Sequence, residues 1–211
     1  MPLKYFSDKK YSDILNTLSQ NAKLYIYLPV VIKDRFSLTI KNTIENAFKN
    51  YKIFGCVVCE LSSLKLLKDY KTDLIANYNF NIYNSYTAQE VEQLGFSLIT
   101  LSPELEAEEL LSIQNISKEV IVYGKTPLMT MSYCLLGKSN RCYKECKKLC
   151  LNNERYYLKD RYNFNFRIVP DNLQTLTTIY NSRNVSLSKM DSKSIRFDFL
   201  DEKIDEINEI I

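Results

Sequence analysis

Histidine is absent from the 211 residues, and so is tryptophan. The first absence excludes, within this chain, a Ser-His or Cys-His dyad, an HExxH zinc site and any imidazole acid–base step. Glycine occurs only four times, and no GxGxxG or Walker loop opens a helix, which tells against a nucleotide-binding sheet. No apolar run approaches the ~18 residues of a membrane span. The longest, Leu24 to Ile32, is interrupted by Pro29, so no membrane association is expected. Met1 is not followed by a basic stretch and an apolar core, so no signal peptide is expected and the cytoplasm is the expected location. In that reducing setting the six cysteines read as thiols or metal ligands rather than a disulfide framework.

What is present is a soluble globular composition, 45% hydrophobic and 25% charged, with a net charge of only +3. Short apolar runs start near residues 24, 54, 74, 97 and 120, and amphipathic stretches separate them. Short strands apolar on both faces and joined by helices imply a parallel sheet with right-handed crossovers. Thr87 and Glu90 read as a capping box for a helix that Gly95 ends, and Ser102 with Pro103 as the start of another. Val120 to Tyr123 reads as a buried strand with Gly124 as its breaker. A helix is expected over 8–20, a third strand within 74–83, and an amphipathic final helix carrying Ile204, Ile207, Ile210 and Ile211.

After the fifth strand comes a cysteine-dense, lysine-rich stretch with Cys134, Cys142, Cys146 and Cys150. The last three are spaced four apart, so a helix would line them on one face. Four thiolates are what an iron–sulfur cluster or a structural zinc requires. Cys56 and Cys59 also read CxxC, but within a strand they point to opposite faces, and the core is the expected place for both. Residues 151–190 read as hairpins, and IRFDFLDE at 195–202 returns to strand. The reading is therefore α/β: an incomplete TIM-like (β/α) barrel of about six βα units, against the eight of a closed one. Its parts are a partial barrel at 1–130, a cysteine-rich basic hairpin insert at 131–190, and a last barrel strand and helix at 191–211.

Barrel chemistry sits at the C-terminal ends of the strands. Position selects Glu104, Asp198 and Lys125 as catalytic candidates and Asn81, Asn84 and Arg196 as substrate-binding candidates, with Glu60 and Ser102 nearby. Glu104 would be a base, or an acidic residue placed beside a helix dipole. Asn81 and Asn84 would bind a polar substrate, or close a turn. Arg196 and Asp198 alternate with Phe197 and Phe199, so the charged pair shares one side. Lys138, Arg141, Lys144, Lys147, Lys148, Arg155, Lys159, Arg161 and Arg167 outnumber the acids of the same stretch and are interleaved with tyrosines. That mixture suits RNA as a partner, or is a solvated surface.

NFNIYNS (79–85), LSPEL (101–105), VYGKTPLM (122–129), the Cys134 region, YYLKDR (156–161), IYNS (179–182) and IRFDFLDE (195–202) together resemble the U-thirty-two family of collagenase-like peptidases. The resemblance runs from about residue 24 to the end and rests on the order and spacing of these motifs. It implies a TIM-like barrel with a cysteine insert after its seventh strand, IRFDFLDE being the eighth. It implies a peptidase acting on a peptide substrate. Alternatively, it implies an iron–sulfur protein of oxygen-independent hydroxylation of tRNA, ribosomal RNA or a quinone precursor, or a truncated inactive paralogue. Cys134 and Cys142 match the family's first insert cysteines. The segment before IYNS, where relatives carry a further ligand, has no cysteine here, so Cys146 and Cys150 would complete the set. On this register the first two barrel strands are missing, and a second polypeptide is expected to supply them. Without histidine, no cleavage of casein or gelatin is expected from this chain alone.

Overall fold

The computed structural model describes residues 1–139, 150, 155–187 and 192–211. The chain forms two compact units, residues 1–120 and 121–211.

In the first unit, β1 (Leu24–Tyr27), β2 (Ile53–Val58), β3 (Asp73–Ala76), β4 (Leu98–Thr100) and the start of β5 (Lys118–Met131) lie side by side in chain order, each pair parallel. This is the order of part of a (β/α) barrel, as expected from the alternating pattern. Helices fill the crossovers: α1 (Ser12–Asn21), α2 (Ser37–Asn50), α3 (Ser63–Leu67), α4 (Ser85–Gln93) and α5 (Ala107–Ser112). α2 shows why the segments become helices. It buries Ile40, Thr43, Ile44 and Ala47, which recur at a spacing of three or four on one face.

The register sorts the strand side chains into two sets, because successive residues point to opposite faces. One set is Leu24, Ile26 and Leu28 with Cys56, Val58, Ala76, Ile99 and Val120, all buried. Burial pushes the Cys56 thiol up to about 12, so it behaves as a small apolar residue. The other set contains Tyr25, Tyr27, Gly55, Asp73, Thr100 and Glu119. Gly55 makes room for Tyr25, whose ring lies 2.4 Å from where a Cβ would stand. The Tyr25 hydroxyl donates to Asp73 at 2.5 Å, and burial together with that carboxylate raises the phenol's pKa. The outer edge of β1 is engaged near its end. The Met1 amine donates to the Tyr25 carbonyl, the Tyr27 N–H donates to the Met1 carbonyl, and Pro2 forms a parallel bridge to Tyr27.

In the second unit β5 continues into an antiparallel sheet with β8 (Leu176–Ser186), β7 (Asn165–Asp171) and β6 (Tyr156–Lys159), in the order β5-β8-β7-β6. β6 with β7, and β7 with β8, pair as antiparallel hairpins, while most of the cysteine-rich stretch lies outside the described residues. β9 (Ile195–Asp198), the expected return strand, pairs with β5. A short α6 (Leu135–Ser139) follows β5, and α7 (Ile204–Ile210) ends the unit. Asp201 ties its parts together: Arg167 meets its carboxylate at 2.6 Å and Arg155 at 3.7 Å.

Four local expectations are corrected. Gly124 does not end β5, which runs on to Met131 through register shifts around Pro127. The glycine adopts φ +137, and a Cβ there would lie 2.6 Å from the Asp198 carbonyl. Its role is thus the close approach of β9 rather than strand termination. The third strand stops at Ala76, because the asparagines that follow bond one another and local backbone. The cap of α4 is Asn84, accepting from the Thr87 N–H at 2.9 Å, and not Thr87. Ser102 and Pro103 begin a turn; α5 starts later, with Glu106 as its cap.

The two positive-φ glycines give a test. Gly95, at φ +94, has nothing within 4 Å of its would-be Cβ, so Gly95→Ala carries only the backbone cost, about 1 kcal/mol. Gly124→Ala adds the collision with Asp198, and a loss of about 2–3 kcal/mol or more is expected. Urea unfolding of the two variants checks the order; equal losses would show that β9 does not press on this position.

Candidate functional site

A row of buried polar groups lies at the C-terminal ends of β1 to β4 in the first unit. Parallel strands bring it about: parity puts Cys59, Asn77, Thr100 and Glu119 on the same face as Tyr27. Asn77 is fully buried just past β3. Its Nδ2 donates to the Tyr27 hydroxyl at 2.7 Å, to Cys59 Sγ at 3.4 Å and to Asn79 Oδ1. Cys59, 3% exposed, donates from Sγ to the Leu28 carbonyl at 3.2 Å. Thr100, fully buried, donates to Glu119 Oε1 at 2.7 Å, and Glu119 is 8% exposed. One amide thus joins the ends of three strands, and one hydroxyl–carboxylate bond joins the next two. Buried polar groups of this kind persist only when hydrogen-bonded.

Around this row stand the loops that follow the strands. Glu104 is exposed in the turn after β4, and its Oε2 accepts from the Tyr83 hydroxyl at 2.7 Å. The carboxylate therefore does not stand beside a helix dipole; it pairs with a phenol from the loop after β3. Glu60, after β2, accepts from Ser62 at 2.8 Å. Ser102 is buried and accepts from the Glu104 N–H at 3.3 Å. Asn81 sits at φ +53 at the end of a 3-10 turn, and Asn84 is spent on the α4 cap. Both asparagines thus shape the loop that carries Tyr83.

The remaining candidates belong to the second unit. Arg196 and Asp198 share a side, as their alternation implies, and bond each other at 2.6 Å. Phe197 and Phe199 stack with centroids 5.8 Å apart. Lys125 lies half-buried in β5, opposite Asn184 in the register. Tyr123 donates to Glu202 at 3.1 Å and accepts from Asn184 at 2.6 Å. Burial pushes the Glu202 carboxyl up, but backbone N–H groups, those of Leu200 and Asp201 among them, and the Tyr123 hydroxyl outweigh it and hold the group below its ordinary value. Burial, then Glu202, raises Tyr123.

Cys134 and Cys150 are half-buried; Cys142 and Cys146 lie outside the described residues. Among the described residues no three His, Cys, Asp or Glu side chains converge as metal ligands. What frames Cys134 is Thr177, fully buried on β8. Its hydroxyl donates to the Tyr133 carbonyl at 2.9 Å and accepts from the Leu135 N–H at 3.1 Å, holding the backbone on both sides of the cysteine.

The sequence reading missed Tyr27, Asn77, Thr100, Glu119 and Tyr83. The signal available was parity: counted in twos along each strand, a polar residue closes the same face of β3 and β4, and Glu119 continues it at the start of β5.

A parallel α/β sheet with a polar row at the C-terminal ends of its strands has the layout of a barrel-type enzyme site. The model of peptidase family U32 matches residues 2–194, and the chain belongs to that family. No curated protein and no solved structure matches it.

The Tyr123–Glu202 pair makes stability pH-dependent at both ends. A carboxyl depressed in the folded state stabilises above its ordinary pKa, and that contribution is lost as pH falls through the folded value. A phenol raised in the folded state stabilises below its ordinary value of about 10 and loses the contribution as pH rises through the folded one. Glu202→Gln is expected to flatten the acid side of the unfolding free energy, and Tyr123→Phe the alkaline side. Parallel curves for wild type and both variants would show that the pair carries no linkage.

Proposed function

We propose that the chain acts on polypeptide at the C-terminal ends of β1 to β4. The observation that carries this reading is the buried polar row that fixes the strand ends, with the Tyr83–Glu104 pair exposed at its rim. An extended peptide offers a carbonyl and an N–H at every residue, and the exposed Tyr83 hydroxyl and Glu104 carboxylate at the rim of the row are matched to it. Family membership supports a peptidase at the level of the family.

With no histidine in the chain, a carboxylate is the base that the rim of the row offers. Glu104 stands at the rim with the Tyr83 hydroxyl on its oxygen. In this role it takes a proton from water as the water oxygen attacks the peptide carbonyl. The Tyr83 O–H turns to the developing oxyanion. Glu104 then returns the proton to the departing amine, so atoms and charge balance. Asn77 and Thr100, fully buried and bonded within the row, hold the strand ends from which the rim loops project. Asp198, Lys125 and Arg196 carry no step; the first and last bond each other.

A gelatin-derived peptide titrated calorimetrically is expected to bind, and Tyr83→Phe, which removes the exposed rim hydroxyl, to weaken it about tenfold, the scale of one hydrogen bond. Glu104→Gln should leave binding unchanged. Gelatin and casein are expected to stay intact with this chain alone, because in this reading the hydrolytic step awaits a second polypeptide that supplies the two further barrel strands around the site. Clear cleavage abolished by Glu104→Gln would make the chain a self-sufficient hydrolase, while no peptide binding at all would remove the reading.

A second reading has an observation of its own, the Thr177 frame around Cys134. The donor set Cys134, Cys142, Cys146 and Cys150 is all thiol and fits an iron–sulfur cluster by chemistry. When bound, such a cluster supplies electron transfer, the chemistry that hydroxylation of RNA or of a quinone precursor would call on. Thr177 would fix the backbone that presents the first ligand. Anaerobically purified chain is expected to be brown, Cys142→Ser to bleach it, and Thr177→Val to lower its iron content. Colourless, iron-free protein after anaerobic loading would dispose of this reading.

A further inference from the structure

We infer that the outer edge of β6, in the second unit, is a docking strand for an extended acidic polypeptide. The surface goes beyond the proposed function and uses none of its residues. Among the described residues β6 ends the order β5-β8-β7-β6, so one side of Tyr157, Leu158 and Lys159 has no neighbouring strand. All three are exposed, Tyr157 by 44% and Leu158 by 42%. An unpaired edge presents a row of backbone N–H and C=O groups that an added strand completes.

The hairpin that carries the edge is rigidly made. At its tip Asp160 Oδ1 accepts from the Tyr162 N–H at 2.8 Å and the Phe164 N–H at 2.9 Å, and Asn163 takes φ +68. At its base Arg167 joins Asp201 at 2.6 Å, donates to the carbonyls of Tyr156 and Ile168, and lies over the Tyr157 ring. A preformed edge reduces the ordering cost of adding a strand.

Charge selects the occupant. Lys159 and Arg161 are exposed beside the edge, while the one acid between them, Asp160, is turned onto its own backbone. A second copy would bring its own Lys159 and Arg161 against these, so self-pairing is opposed and an acidic strand is favoured. The aromatic rings do not favour a nucleic acid. Arg167, Arg161 and Arg183 stand over Tyr157, Tyr162 and Phe164 at 5.5, 4.7 and 5.4 Å, so each ring already has a guanidinium on one face. A nucleotide chain also has no backbone ladder with which to complete β6.

The probe is a fluorescent peptide of about eight residues alternating Glu and Val, the length of a strand. Anisotropy titrations with the full chain are expected to show binding that weakens with salt. Lys159→Glu/Arg161→Glu should weaken it at least tenfold without moving the melting curve, since both side chains are exposed. The same peptide N-methylated at alternate residues should not bind. Three results would overturn the inference: equal binding of the N-methylated peptide, tighter binding of a uridine oligonucleotide of equal charge, or no binding of the acidic peptide.

Discussion

A strand with helices packed on one side must keep that side apolar, and the rest of the first unit follows from this constraint. In β1 the obligatory set is Leu24, Ile26 and Leu28, none more than 6% exposed. Side chains alternate, so the polar residues Tyr25, Tyr27, Asp73, Thr100 and Glu119 are driven to the opposite face, while Lys118 stays on the first and donates to the Leu110 and Ile113 carbonyls. Parallel register then aligns those residues in rows across the sheet. At the start of the strands the row is Tyr25, Gly55 and Asp73, closed by one short hydrogen bond. At the end it is Asn77 with its partners, and then Thr100 with Glu119. A polar row at the C-terminal ends is therefore a geometric consequence of the same pattern that builds the core.

The second unit answers a different constraint. Its strands are antiparallel and partly exposed, so polar clasps do what apolar burial does in the first. Asp201 joins Arg155, Arg167 and Tyr157, and Glu202 joins Tyr123 to the backbone after β9. Charged hydrogen bonds of this type exceed neutral ones when partly buried, and their loss leaves an unpaired charge. The closeness they impose explains Gly124, since β9 passes where any side chain would stand.

Strand positions were legible because short apolar runs between amphipathic stretches have few other solutions. The ordering of β1 to β5 followed from the crossovers, and the return of β9 to β5 from the IRFDFLDE segment. Boundaries were less legible, because single polar residues compete for them. Thr87 and Glu90 read as a capping box, but Asn84, nearer the incoming loop, took the cap. Ser102 and Pro103 carry a helix-start signature, yet Leu105 closes a turn onto Ser102 first. The site was least legible. Asn77 looks like a turn residue, and a buried asparagine is intelligible only once Tyr27 and Cys59, distant in sequence, stand beside it.

Tyr27 and Tyr83 supply hydroxyls where an imidazole would otherwise be expected. The Tyr27 hydroxyl accepts from Asn77, and that of Tyr83 donates to Glu104. A phenol is an ordinary donor near neutral pH but a poor acceptor of a second proton, so it can hold or polarise a group without cycling as a base. The polar face of the first unit also carries two carboxylates, Glu104 and Glu119. There the exposed Glu104 and the buried Glu119 differ in access rather than in chemistry. Glu119, sealed against Thr100, is placed to fix geometry; Glu104, open at the rim, is placed to meet water. The division of labour between the two acids follows from where β4 ends: Thr100 is its last residue, and Glu104 lies in the turn beyond.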